Sequence, residues 1–182
     1  MIILASKSPR RKELLEMAGY DFVVKTYDVE EDIQDDNPVE YVEKTALKKG
    51  IIASQNNPED IIISADTIVV LDDKILEKPK DKLDAYSMIK SYKGRNHHVY
   101  TGVAILYKNE CINFYEDTIV SVCDLTDEEI MNYVNTDEPY DKAGAYAIQG
   151  IFGKYIEKIE GDYFNVMGLP LCAINKHLKK IL

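Results

Sequence analysis

The sequence predicts an α/β protein with a mixed, twisted β-sheet flanked by helices. Three observations predict it. A short apolar run at the N-terminus, Met1 to Ala5, leads directly into a helix start. The most apolar run of the chain, Ile61 to Leu71, has the composition of a central strand covered on both faces. Two further strand-like runs flank Lys108-Asn109-Glu110, which reads as a hairpin loop. Helical crossovers set strands parallel, whereas a hairpin sets them antiparallel, so the sheet is mixed.

The elements follow in order. Ser8 offers an N-cap hydroxyl and Pro9 stands where the first helical residue tolerates proline. That helix runs to about Ala18, with Leu14, Leu15 and Ala18 on one face and Gly19 as its stop. Tyr20 to Thr26 alternates as a strand. Asn37-Pro38-Val39-Glu40 combines an N-cap, a proline at N1 and a glutamate at N3, and opens a helix to about Ser54. After Ile61 to Leu71, Asp72-Asp73 turns the chain and Lys74 to Leu76 returns. Lys82 to Tyr92 is a third helix, closed by Lys93-Gly94. A strand opens at His97 and His98 and runs to Tyr107, and its partner runs from about Cys111 to Val122. Thr126-Asp127-Glu128-Glu129 is a capping box that starts a helix to about Val134. Glu138 to Gly150 is irregular and rich in small residues. Lys154 to Ile159 is another strand, turned at Gly161-Asp162, and Gly168-Leu169-Pro170 starts a C-terminal helix with Leu171, Ile174 and Leu178 inward.

At 182 residues the chain fits one domain, residues 1–182, or one core with a small sub-lobe. Its net charge of −10 argues against a surface that coats nucleic acid. No stretch of about 18 apolar residues exists, so no membrane span is expected. Cys111, Cys123 and Cys172 are odd in number and lack metal-ligand spacing, though the first two would be neighbours across a hairpin. They read as free thiols in a reducing cytoplasm rather than as zinc ligands.

Several residues carry candidate chemistry. Arg10, Arg11 and Lys12 fall in the first turn of a helix, where the macrodipole is already positive. With Ser6 and Ser8 they form either a phosphate cradle or a solvated basic turn. The clustered carboxylates of Asp28-Val29-Glu30-Glu31-Asp32 read as a solvated acidic loop, or as a divalent-metal or catalytic carboxylate. Asp66 interrupts the apolar run at Ser64 to Thr67, and a lone charge there is expensive to bury. It is a strand-end hydrogen-bond acceptor or, the preferred reading, a functional acid–base group. Pro79 fixes the backbone beside Lys78. His97 and His98 read as structural histidines. Gln149 offers an amide donor and acceptor together, which suits reading a base edge.

Taken together, these motifs make the sequence similar to the Maf family, nucleoside triphosphate pyrophosphatases also described as septum formation inhibitors. The marks are Leu4-Ala5-Ser6-Lys7-Ser8-Pro9-Arg10-Arg11, Ala65-Asp66-Thr67, Glu77-Lys78-Pro79, and Gly94-Arg95-Asn96-His97 through Thr101-Gly102. They continue with Glu138-Pro139 through Gln149-Gly150 and Gly161-Asp162-Tyr163 through Gly168-Leu169-Pro170, so the resemblance covers essentially the whole chain. It implies two lobes around a nucleotide-binding cleft, as in inosine triphosphatase-like folds, and a homodimer. It implies hydrolysis of a nucleoside triphosphate between the α and β phosphates, with a divalent cation, Mg²⁺ or Mn²⁺. Asp66 would be the proton acceptor, and Arg11, Thr67 and Gln149 would set substrate choice. Glu31, Lys49 and Lys78 match charged positions of the family cleft, Glu31 and Lys78 counting with Asp66 as catalytic residues and the metal lying nearest Glu31 and Asp66. Ser6, Ser8, Arg11, Lys49 and Lys78 would hold the triphosphate.

The combination of Arg11, Thr67 and Gln149 resembles the subgroup that acts on dTTP and UTP, ordinary or modified. A 7-methyl-GTP subgroup carries a tryptophan before the second arginine, a glutamine after the aspartate and a late glutamate. This chain has Arg10, Thr67 and Gln149 there. A different class of reading is a non-catalytic nucleotide-binding module in cell division. A kinase-like phosphotransferase is disfavoured, because no GxxxxGK[ST] loop is present.

Overall fold

The computed structural model describes residues 1–29 and 37–182. Among these residues seven strands form one mixed sheet: β1 (Ile2–Leu4), β2 (Phe22–Val24), β3 (Ile61–Leu71), β4 (Lys74–Leu76), β5 (Asn96–Tyr107), β6 (Glu110–Val122) and β7 (Ile156–Glu160). The order is β2-β1-β3-β5-β6-β7, with β4 added to β3. β1 pairs parallel with β2 and with β3, whereas β4 pairs antiparallel with β3 and β7 antiparallel with β6. Among the described residues six α-helices accompany the sheet: α1 (Pro9–Met17), α2 (Pro38–Asn56), α3 (Lys82–Tyr92), α4 (Asp127–Val134), α5 (Tyr163–Val166) and α6 (Leu171–Ile181). Among the described residues no helix is long and apolar enough to cross a membrane.

The chain divides into two compact units, and β3, β5 and β6 contribute residues to both. The first comprises Met1–Thr67, Thr101–Glu116 and Gly168–Leu182. Here α1 and α2 begin as the caps anticipate. Ser8 accepts from the Arg11 N–H, and Asn37 accepts from the Val39 and Glu40 N–H groups. Helix α2 lies unusually close to the sheet. A Cβ on Gly102 of β5 would stand 2.3 Å from the Val42 carbonyl oxygen, and one on Gly50 of α2 would stand 2.7 Å from Ser64 Oγ. Ser64 of β3, fully buried, donates its hydroxyl to the Ala46 carbonyl of α2 at 2.7 Å. A small apolar cluster of Ile3, Ala5, Ala53 and Ile62 packs alongside.

The second unit comprises Ile68–Tyr100 and Asp117–Met167. Its core is aromatic. Tyr92, Tyr133, Tyr146, Phe152 and Tyr155 are buried with Val69, Ile89, Val120 and Ile130. Both buried tyrosines nearest the centre find partners, as such hydroxyls must. Tyr92 donates to the Gly144 carbonyl at 2.9 Å, and Tyr146 Oη lies 2.7 Å from His97 Nε2. His97 is therefore structural, as anticipated.

Two expectations change. The strand placed at Lys154 to Ile159 begins only at Ile156, because Ile151–Tyr155 winds into a 3-10 turn. Its first amides are captured by the Glu138 carboxylate, which the local sequence does not reveal. Cys111 stands near the start of β6 and Cys123 just beyond its end, so they are not cross-hairpin neighbours. All three cysteines are free thiols.

Desolvation, with the charge of His98 beside it, pulls the His97 pKa from 6.5 down to about 3. The unfolded chain takes up this proton near pH 6.5 and the folded protein only near pH 3. Across that window the unfolded state binds more protons, so stability falls as pH falls. From this residue alone we expect about 2 kcal/mol less stability at pH 5 than at pH 7.5. Urea unfolding at both pH values checks this, and His97→Gln should lose that part of the slope. Gly102→Ala should destabilise the protein by about 3 kcal/mol in the same assay, because the new methyl meets backbone that cannot give way.

Candidate active site

The N-terminal motif folds into a hydrogen-bonded knot centred on Arg11. Beyond β1, the chain turns so that the Ser8 N–H donates to Ser6 Oγ at 3.2 Å. The Arg11 side chain then reaches across the first unit in three directions. Nε donates to the Gly168 carbonyl at 2.8 Å, Nη1 to Ser6 Oγ at 3.2 Å and Nη2 to Thr67 Oγ1 at 3.0 Å. Thr67 Oγ1 in turn lies 2.9 Å from Thr101 Oγ1, which is fully buried on β5. Gly168 holds a φ of +104°, and a Cβ there would come 3.2 Å from Thr67 Oγ1. A glycine is therefore needed both for the backbone conformation and for the space.

This arrangement refines the expectation for three bases at a helix start. Lys12 pairs with Glu16 at 3.5 Å, one turn on, and Arg11 is held by the protein's own oxygens. The positive end of α1 is thus partly compensated from within the chain. Lys7 pairs with Asp28 at 3.1 Å on the surface.

Every residue of β3 is buried except Asp66 and Thr67. Successive side chains of a strand diverge, and these two neighbours meet different helices. Thr67 meets Arg11 of α1, while Asp66 Oδ1 lies 2.8 Å from Lys49 Nζ of α2. Both side chains of this ion pair are largely covered, at 15% and 18% exposure for Asp66 and Lys49. Removing either partner would leave a poorly solvated charge. The close seating of α2 on the sheet determines this pair: Ala46 is tied to Ser64, and Lys49 follows one turn later, above Asp66 two residues further along β3.

Ser6, Ser8, Arg11 and Thr67 are thus brought into one group, and Lys49 and Asp66 into another, joined by the peptide bond between Asp66 and Thr67. Lys78 and Gln149 belong to the second unit. Pro79 is buried and anchors the backbone there, while Lys78 is exposed and makes no hydrogen bond or ion pair among the described residues. Gln149 is exposed at a turn in which the Gly150 N–H donates to the Ala147 carbonyl at 3.2 Å. Glu31 lies outside the described residues. Sequence reasoning missed two members of the knot. The Gly168 carbonyl is a backbone acceptor that no side-chain pattern announces. Thr101, a buried hydroxyl, stands in the Thr101-Gly102 motif, but nothing in that motif announces its contact with Thr67.

The sequence matches the model of the Maf-like protein family over residues 1–181. The chain belongs to this family. It is 50% identical over 182 residues to a dTTP/UTP pyrophosphatase of Caldanaerobacter subterraneus subsp. tengcongensis, covering 98% of this chain and 88% of that one. It is 46% identical over 180 residues to a dTTP/UTP pyrophosphatase of Bacillus anthracis, covering 98% and 94%. Among solved structures, the Staphylococcus aureus Ham1 protein superposes with a TM-score of 0.51 at 14% identity, over 68% of this chain and 72% of that one. That likeness concerns the fold and agrees with the mixed α/β architecture.

Within this Maf-like chain, Arg11→Lys should lower stability by about 1–2 kcal/mol in urea unfolding. A single ammonium keeps the charge but cannot span Ser6, Thr67 and the Gly168 carbonyl at once.

Proposed function

We propose that this Maf-like chain is a nucleoside triphosphate pyrophosphatase that hydrolyses dTTP and UTP to the monophosphate and pyrophosphate. The observation that carries the reading is at the two half-buried positions of β3. There a carboxylate held by a lysine stands next to a hydroxyl held by an arginine fork. Relatives 45–50% identical that are named dTTP/UTP pyrophosphatases support the substrate class.

In this reading Asp66 accepts the proton of the attacking water as it bonds to the α-phosphorus and pyrophosphate departs. Lys49 keeps the Asp66 carboxylate oriented and adds positive charge. Ser6, Ser8, Arg11 and Lys78 hold the triphosphate, whose charge must be neutralised as the bond to the leaving group opens. Gln149 pairs with the imide edge of uracil or thymine, which shows carbonyl oxygens beside an N–H. Arg11 and Thr67 complete the selection of substrate.

Asp66 and Glu31 would hold a divalent cation, Mg²⁺ or Mn²⁺. Among the described residues no three His, Cys, Asp or Glu side chains cluster as a metal centre. Ions of this kind are commonly bound by one or two carboxylates and otherwise by water and substrate phosphates. Such an ion supplies charge neutralisation and lowers the pKa of bound water. A cytoplasmic homodimer belongs to the same reading.

The test is pyrophosphate release from dTTP, UTP, CTP, ATP, GTP and 7-methyl-GTP, with Mg²⁺, with Mn²⁺ and with excess chelator. Metal-dependent release confined to dTTP and UTP is expected. Asp66→Asn should lower that rate at least about 100-fold while the fold survives, since the amide oxygen still accepts from Lys49. Full activity in this variant would overturn the role of Asp66. Nucleotide binding without turnover by the unaltered protein would favour the non-catalytic module.

A further inference from the structure

Gln149 sits on a turn of four residues, Ala147 to Gly150, that carries no regular secondary structure of its own. An exposed glutamine on such a turn discriminates poorly between base edges unless the backbone beneath it is fixed. The structure supplies a fixing device immediately beyond it. Both carboxylate oxygens of Glu138 are engaged: Oε2 accepts the Ile151 N–H at 2.6 Å, and Oε1 accepts the Phe152 N–H at 3.1 Å. These are the leading amides of the 3-10 turn that follows Gln149, and they have no partner within that turn. Tyr133, 2% exposed, directs its hydroxyl at Glu138 Oε1 and at the Ala145 carbonyl, each at 3.1 Å.

Shape closes the turn from both sides. A Cβ on Gly150 would lie 2.1 Å from Glu138 Oε2, so the carboxylate presses directly on the turn's last residue. A Cβ on Gly153 would lie 2.6 Å from the Ile148 carbonyl oxygen. Phe152, fully buried against Tyr133 and Tyr146 with ring centroids 5.0 Å away in each case, pins the far end in the aromatic core. Glu138 is the one group of this arrangement that reaches the turn from a different segment through charge-assisted hydrogen bonds, which are stronger and more directional than neutral ones.

We propose that Glu138 is a positioning residue for Gln149, and through it a determinant of pyrimidine selectivity that never touches the base. This rests on the reading of Gln149 given above. Replacing one carboxylate oxygen by an amino group, as in Glu138→Gln, preserves shape but removes one acceptor. It loosens the turn and leaves Asp66, Lys49 and Arg11 themselves unaltered.

The experiment compares kcat and KM for UTP and CTP in the unaltered protein, Glu138→Gln, Gln149→Ala and the double variant. Glu138→Gln is expected to raise the KM for UTP with kcat held within about twofold, and to reduce the UTP-over-CTP ratio of kcat/KM about tenfold. Gln149→Ala should do the same, and the double variant should be no worse than Gln149→Ala alone, because both act through one contact. An unchanged ratio in Glu138→Gln, an equal loss of kcat for both nucleotides, or losses that multiply in the double variant would each overturn the proposal. If Glu138→Gln does not fold, Tyr133→Phe removes one donor to the same carboxylate and should shift the ratio in the same direction. An unshifted ratio there overturns the proposal equally. If the unaltered protein releases no pyrophosphate, the ratio is read as binding of α,β-methylene UTP against α,β-methylene CTP. An unaltered protein that binds neither analogue overturns the reading of Gln149 and this inference with it. One that prefers the UTP analogue while Glu138→Gln keeps that preference overturns the inference alone.

Discussion

The absence of a side chain at Gly102 lets helix α2 rest directly on the backbone of β5, and the first unit depends on that contact. With a Cβ there, the helix backbone at Val42 would have to lift away from the sheet. The seated helix brings the Ala46 carbonyl within reach of the Ser64 hydroxyl and sets Lys49 over Asp66. A charge in the middle of an otherwise buried strand is costly in isolation. Here the cost is offset by a lysine whose placement follows from helix seating rather than from local sequence. The pair is thus a consequence of packing first and an electrostatic interaction second.

Arg11 plays the complementary part on α1. A guanidinium has a fixed fork of donors, and three of its directions are used on a hydroxyl of the preceding turn, a hydroxyl of β3 and a backbone carbonyl far along the chain. Lysine could satisfy the charge but not the geometry. The result is that residues from the N-terminal turn, the central strand and the segment before α6 share one hydrogen-bonded group. Because Asp66 and Thr67 are neighbours in sequence, the two helices act on adjacent peptide units of β3. Rigid placement of charged and hydroxyl groups is what phosphate chemistry demands, since that chemistry is dominated by positioning and charge stabilisation.

The second unit solves a different problem. The segment after α4 winds through short 3-10 turns that cannot satisfy their own amides and carbonyls. Buried tyrosines and one carboxylate supply the missing partners: Tyr92 at Gly144, Tyr133 at Ala145 and Glu138 at Ile151 and Phe152. Burial raises the pKa of Tyr92, Tyr133 and Tyr146, so these hydroxyls remain neutral donors. His97 stays neutral for the same reason, and its place in the cluster is packing rather than catalysis.

Local rules written in the sequence account for most of the elements. Caps at Ser8, Asn37 and Thr126, the turn at Asp72-Asp73, and the apolar runs of β3 and α6 all act between residues close in the chain, and each appears where those rules put it. The motif residues Ser6, Ser8, Arg11 and Asp66 stood out for the same reason, as charges and hydroxyls against an apolar or dipolar background. Tertiary structure alone decided their partners. That Arg11 would bond the Gly168 carbonyl 157 residues away, that Lys49 rather than Lys48 would meet Asp66, and that Glu138 would unwind the start of an expected strand depend on long-range approach. Such approach is governed by which backbones come close enough to touch, and a side-chain pattern along one dimension does not encode it.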